Sequence, residues 1–394
     1  FPMFITIVLL VVILGLLIFV HEFGHFVMAK RTGMGIEEFG FGYPPRVIGI
    51  QKTTENEKKS WRIVFKKTQK GEKSNKNTIY SLNWIPFGGF VKIKGEQGDK
   101  IDETDSFTSK KIWQRAVVLS AGVIMNIMLA FVLFSAGFMI GLPDVVDGNL
   151  SDQANIEERF VQVVQVENES PAANAEMKPG DIIKNVEGEE IFSVDQFKQK
   201  IEPSIDQSLN ITYIRADEIF KKSVTPVDLN NTGDGKIGAY LTDTGIVSYP
   251  WYYSIWMGVK TTFSLTWRIV VAFYEIIKNL IVSHQVSEDI AGPVGIAVLT
   301  GQMVKLGFIY VLQFTAILSI NLAIINYVPF PALDGGRVLF LIIEKIKGSP
   351  INQRIEGIIH RAGFFILISV LLFFTFKDVS RFSESIMGFF NNIL

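Results

Sequence analysis

The chain has 394 residues, of which 48% are hydrophobic and 32 are phenylalanine, with mean hydropathy +0.30 and a formal net charge of −1. That composition is too apolar for an ordinary soluble domain, and the charge leaves no footprint for a nucleic-acid partner. The absence of cysteine excludes disulfides and thiolate ligands, so a metal site must draw on carboxylates and on His21, His25, His284 and His360, the four histidines of the chain.

Residues 1–29 read as a first membrane span, an apolar run that continues past His21-Glu22-Phe23-Gly24-His25 to Ala29. Phe1-Pro2 ahead of Met3 reads as an added remnant. HExxH on a helix puts two imidazoles one turn apart on one face, where both can bind one Zn²⁺, with Glu22 as general base for the attacking water. A chance HExxH is the plain alternative, but chance copies sit on polar surfaces, and an unpartnered carboxylate in hydrocarbon is hard to tolerate. A signal peptide is not expected, because no basic stretch or small-residue cleavage site frames the run.

Residues 30–115 carry roughly half of the Lys and Arg, which makes this side cytoplasmic. Within it, 53–77 is a polar, Lys/Glu-rich loop, flanked by strand-like, Gly-punctuated stretches at 38–43 and 80–94. The plain reading is a small amphipathic sheet at the membrane surface. The functional one is a sheet edge that enters the membrane beside the metal and pairs with an extended substrate.

A second span is expected over 116–142. Residues 143–248 hold about twenty carboxylates against about nine basic side chains and are expected outside. Inside that stretch, 160–166 alternates as a strand, Ser170 opens a short helix, 193–201 is an amphipathic helix and 209–215 another strand. The run from Ser170 to Ile183 resembles a PDZ domain of bacterial envelope proteases, with Glu176 and Glu187 where Gly and Asn are usual. Residues 230–237 superficially suggest a calcium loop, but carboxylates are missing at most ligand positions, so a turn is expected.

Residues 249–305 are apolar and aromatic but interrupted by Lys260, Arg268, Glu275 and Lys278, and read as interfacial amphipathic helices and a loop. A third span is expected over 306–336, a cytoplasmic loop or helix over 337–361, and a fourth span with a C-terminal tail over 362–394. The apolar run of this last span, 362–376, is short and calls for snorkelling by Arg361 and Lys377 or a thinned bilayer. Both termini then lie outside.

A catalytic zinc keeps three protein ligands. The candidates for the third are His284, His360, Glu37, Glu38 and Asp334. His284 falls outside, and Glu37 and Glu38 follow the histidines too closely. Asp334 is better placed, on the same side as the pair, in Asn326-Tyr327-Val328-Pro329-Phe330-Pro331-Ala332-Leu333-Asp334-Gly335-Gly336-Arg337, where two prolines break the helix. The plain alternative is an Asp that caps the next helix, with Gly335-Gly336 as the turn.

HEFGH in the first span, this Pro-rich LDGG stretch at the third and the insert between the second and third together resemble the site-2 protease family of intramembrane zinc metalloproteases. The type is the bacterial regulator of sigma-E protease, here with a single PDZ domain. Phe39-Gly40-Phe41-Gly42, Pro86-Phe87-Gly88-Gly89-Phe90-Val91 and Ala291-Gly292-Pro293-Val294-Gly295 extend the likeness. The resemblance implies a polytopic α-helical membrane protein of about four transmembrane helices, with a membrane-associated β-sheet and one extracytoplasmic PDZ-like α/β domain. It implies one Zn²⁺ per chain on His21, His25 and Asp334, with Glu22 as the base. Asn326, Pro329 and Pro331 would hold or unwind substrate, Gly40, Phe41 and Gly42 would present a strand to it, and Asn126 would steady the oxyanion. Where relatives often have GPxxN in the second span, this chain keeps Gly122 and Asn126 and lacks the Pro.

The implied activity is that of an endopeptidase of the bacterial cytoplasmic membrane, working in regulated intramembrane proteolysis. Its partners would be the bilayer, single-span membrane proteins such as anti-sigma factors or remnant signal peptides, and a peptide tail at the PDZ-like domain. Two alternatives remain open at this point: a membrane-anchored HExxH protease acting on soluble or misfolded proteins, and a non-enzymatic PDZ scaffold with a relic zinc site.

Overall fold

A computed structural model describes residues 3–55, 58–65, 77–96, 103–146, 150–215, 218–228, 233–282 and 292–381. Phe1-Pro2, His284, Ala291, most of the polar loop expected at 53–77 and part of the turn expected at 230–237 lie outside them. The chain divides into two units: Phe1–Val132 with Thr261–Gly301 and Thr315–Leu394, and Leu133–Lys260 with Gln302–Phe314.

In the first unit, α1 (Met3–Arg31) is followed by β1 (Ile36–Glu55), β2 (Lys58–Val64) and β3 (Ile79–Ile93) and then by α2 (Ile112–Ile140). At 1.5 Å per residue a helix of 29 residues is about 43 Å long, more than the about 30 Å of bilayer hydrocarbon. Side chains such as Ile5, Val8, Val12 and Leu16 remain exposed on α1, which suits lipid and not water.

The sheet order is β2-β1-β3, and both long strands fold back on themselves. Phe39 therefore faces Val91 on one side and Tyr80 on the other, and Phe41 faces both Gly89 and Leu82. The 88–91 stretch of β3 lies along α1. A Cβ on Gly88 would run into Ile18, and one on Gly89 would sit 3.1 Å from the Phe19 ring, so the paired glycines let strand and helix close up.

The second unit holds β4 (Leu142–Val145), β5 (Asn155–Val166), α3 (Pro171–Asn174), β6 (Ile182–Val186), β7 (Glu189–Glu190), α4 (Val194–Ile201), β8 (Leu209–Arg215), β9 (Glu218–Val224) and β10 (Ala239–Ser248). They form one sheet in the order β4-β10-β5-β6-β8-β9, with β7 on β6. Val161, Ile183, Val186, Ile211 and Tyr213 are fully buried in its core. Burying each aliphatic side chain contributes about 1.5–3 kcal/mol. Ser170 and Ser193 cap the two short helices, accepting from the amides of Ala173 and Gln196 at 3.2 Å each.

Glu176 and Glu187, the departures from the PDZ-like pattern, both sit at positive φ, 59° and 51°. A side chain there is disfavoured by about 1–2 kcal/mol. Lys222 on Glu176 at 3.0 Å, and the Asn210 amide on Glu187, tie both carboxylates down.

The remaining helices are α5 (Trp251–Val282), α6 (Pro293–Leu306), α7 (Phe308–Tyr327), α8 (Asp334–Lys347) and α9 (Gln353–Arg381). Within 249–305, where helices and a loop were expected, α6 is accompanied by α5, one continuous rod of 32 residues. Its four charges do not interrupt it, because all four point to the exposed side. The short apolar run of the fourth span is embedded in the 29 residues of α9. Among the described residues, four helices, namely α1, α2, α7 and α9, are long and apolar enough to cross a membrane.

Candidate metal centre

The helical spacing of α1 puts His21 and His25 on one face, both buried. Asp334, the first residue of α8, reaches the same point. Its Oδ2 lies 2.9 Å from His21 Nε2 and 3.2 Å from His25 Nε2, and the two Nε2 atoms are 3.1 Å apart. Ligands at about 2.0–2.1 Å from a tetrahedral Zn²⁺ stand about 3.3 Å from one another, so the three atoms are spaced as a zinc site needs. His25 donates Nδ1–H to the Val118 carbonyl at 2.8 Å, which fixes its tautomer and leaves the Nε2 lone pair free for a metal. Among the described residues, His21, His25 and Asp334 form the grouping of potential ligands suited to a metal.

The other candidates among the described residues, Glu37, Glu38 and His360, are occupied elsewhere. Glu38 pairs with Arg46, Glu37 pairs with Lys92, and His360 accepts from the Ala332 amide.

Two glycines bring α2 up to this site. A Cβ on Gly122 would lie 2.6 Å from His25 Nε2 and 2.7 Å from His21 Nε2, and one on Gly24 would meet the Ala121 carbonyl and Met125 Cγ at 2.8 Å. Asn126 follows Gly122 by one turn. It is fully buried, with neither side-chain polar atom partnered, while its carbonyl accepts from Ser319 Oγ at 2.8 Å.

Gly335 and Gly336 are not the turn before α8 but part of its first helical turn. Side chains there would collide with the carbonyls of Tyr327 and Phe330, so the pair lets α8 start flush against the chain leaving α7. Arg337 then pairs with Glu96, just past β3, and Glu344 with Arg115 at the start of α2, which clamps α8 at two points. Asn326 is half-buried on the last turn of α7, Pro329 is exposed, and Pro331 packs on Gly363 of α9.

Glu22 is half-buried beside the pair, and its Oε2 accepts from the Val91 amide of β3 at 3.2 Å. The expectation for Gly40, Phe41 and Gly42 needs correction. Residues 40 and 41 are paired on both sides and so present no open edge, and the Gly42 carbonyl accepts from Asn83 Nδ2 at 2.8 Å. The strand beside Glu22 is the 88–93 part of β3. The Val91 amide and the Val118 carbonyl escaped the sequence reading, since backbone groups carry no residue signature. Gly122 was in view there, but its closeness to the histidines depends on how α2 packs on α1.

The sequence pattern of peptidase family M50 matches residues 9–65 and 57–370 of this chain. A protein of Clostridium perfringens is 30% identical over 364 residues, covering 92% of this chain and 95% of its own. The regulator of sigma-W protease RasP of Bacillus subtilis is 28% identical over 463 aligned positions, covering 95% and 98%. The zinc metalloprotease RasP of Bacillus licheniformis is 29% identical, covering 95% and 99%. Among solved structures, the PDZ domain of an SdrC-like protein from Listeria monocytogenes is 24% identical, covering 21% of this chain and 85% of that one, with a TM-score of 0.20.

Proposed function

The chain belongs to peptidase family M50 and is a zinc metalloprotease of regulated intramembrane proteolysis, and from that premise we propose that it cleaves single-span membrane proteins at a site within the lipid layer. The observation that carries the reading is the meeting of His21, His25 and Asp334, from two apolar-flanked helices, beside Glu22. These three residues would hold the zinc. When bound, it supplies Lewis acidity toward the scissile carbonyl and water. Glu22 takes the proton from the attacking water and delivers it to the leaving amine. Asn126, buried and without a partner for its amide, is suited to steady the oxyanion that develops.

A helical substrate hides its amides, so it must be drawn out into an extended form before hydrolysis. The 88–93 stretch of β3 is the strand beside Glu22, and strand addition there would compete for the Val91 amide that now holds the carboxylate. Substrate pairing and release of Glu22 for its work on water would then be one event. Asn326, Pro329 and Pro331 lie where the chain leaves α7 and would help keep the substrate unwound.

The acidic α/β module at 143–248 would face outward from the bacterial cytoplasmic membrane as a PDZ-like gate or tail reader, with the Lys/Arg-rich 30–115 region inside. Anti-sigma factors and remnant signal peptides are the substrates that fit. The test is reconstitution in lipid with a transmembrane peptide and, separately, an unfolded soluble protein. Cleavage confined to the soluble protein would overturn the proposal.

A further inference from the structure

His360 lies on α9, a helix that contributes no zinc ligand, yet its ring reaches the turn that delivers Asp334. Its Nδ1 accepts from the Ala332 amide at 2.8 Å. Ala332 itself is held at φ +79°, a left-handed conformation that any residue with a Cβ adopts only when its surroundings enforce it. Within the turn, the Phe330 amide bonds to Val328 and the Leu333 amide to Phe330, while the Ala332 amide reaches out to α9. Without His360 that donor has no partner, and the strained residue loses what fixes it.

The rest of α9 fits this role. A Cβ on Gly363 would lie 2.8 Å from the Pro331 carbonyl carbon, so the helix backbone abuts the same turn. The Phe340 ring of α8, with its centroid 5.3 Å from that of the imidazole, flanks the other side. Accepting at Nδ1 fixes the tautomer, with the ring proton on Nε2. Nε2 is buried and without a hydrogen-bond partner; the nearest acidic atom, Glu356 Oε1, is 3.7 Å away. The interaction therefore points one way, from the imidazole to the turn.

We infer that His360 is a positioning residue for the metal: by accepting from Ala332 it sets the turn that aims Asp334 at the two histidines. This rests on the zinc reading above and adds to it a residue from a further helix, α9. Partners behind metal ligands change metal affinity by about 10–100-fold when removed.

The experiment measures zinc affinity of the full-length protein in detergent, by competition with a chromogenic chelator. The absorption spectrum of the Co²⁺-substituted protein reports on ligand geometry. Asp334→Ala is measured first. A loss of affinity there upholds the ligand set, and an unchanged affinity sinks both the zinc reading and this inference. His360→Leu should weaken zinc by about tenfold or more and alter the Co²⁺ spectrum. His360→Asn, whose Oδ1 stands near the position of Nδ1, should stay within about threefold of the natural protein. Combined with Asp334→Ala, His360→Leu should add nothing, because the ligand it serves is gone. The inference falls if His360→Leu binds zinc normally, if His360→Asn loses as much as His360→Leu, or if the His360→Leu loss persists in full without Asp334. A His360→Leu protein that does not fold leaves the decision to His360→Asn, for which tenfold weaker binding overturns the proposal and near-natural binding upholds it.

Discussion

The amide of Val91 donates to the carboxylate of Glu22 at 3.2 Å, so strand β3 holds the side chain proposed to handle the proton. Glu22→Gln keeps an acceptor for that amide but removes the base. Cleavage of a transmembrane peptide should fall by about 10²–10⁴-fold while metal analysis finds zinc still bound. Retained turnover would remove Glu22 from the chemistry.

Val91→Pro deletes the same hydrogen bond from the other side. Val91 also faces Phe39 of β1, so thermal unfolding is measured alongside to show that the sheet survives. Turnover should drop about tenfold or more with zinc content unchanged. A variant that lost zinc instead would mean that β3 supports the metal and not the base.

Gly122→Ala places a methyl group 2.6–2.7 Å from the Nε2 atoms of both histidines. Either α2 moves away or a ligand does, and zinc affinity should drop by about tenfold or more. Gly357→Ala on α9 is the control: nothing lies within 4 Å of its added carbon, and it should gain up to about 1 kcal/mol of helix stability. Chelator competition and thermal unfolding separate the two.

Removing zinc should lower the unfolding temperature, since a ligand that binds only the folded state stabilises it by RT ln(1 + [L]/Kd). Added zinc should restore the temperature in the natural protein and much less in Asp334→Asn. An equal response in both would place the third ligand elsewhere.

Arg337 pairs with Glu96 and thereby links the metal-bearing end of α8 to the end of β3. Arg337→Met should destabilise by about 1–3 kcal/mol, and the exchange Glu96→Arg with Arg337→Glu should recover part of that. Full destabilisation in the exchanged protein would mean that packing, not pairing, accounts for the effect.

What could be read from the sequence were the features that local spacing dictates. His21 and His25 face one way because a helix repeats every 3.6 residues, and the search for a third ligand led to Asp334, which the structure brings to them. The strand at Leu209–Arg215, the cap at Ser170 and the helix beginning at Ser193 needed only periodicity and turn chemistry. What escaped notice depends on where distant segments meet. Gly40 looks like an edge glycine until β1 and β3 are seen to fold back and enclose it. The strands β4 and β10 pair across about a hundred residues, with no local pattern to announce the match. Lys260 and Arg268 argued against a span, but which neighbours the rest of α5 packs on could not be told from the sequence.

That same helix carries half of the six tryptophans of the chain, Trp251, Trp256 and Trp267, all more than half exposed and distributed over its first 17 residues. At 1.5 Å per residue they sample about 24 Å along one axis. Brominated lipids quench indole emission according to depth, so the protein bears its own ruler. Equal quenching of the three would describe a rod lying flat, and a steady gradient from Trp251 to Trp267 one that plunges.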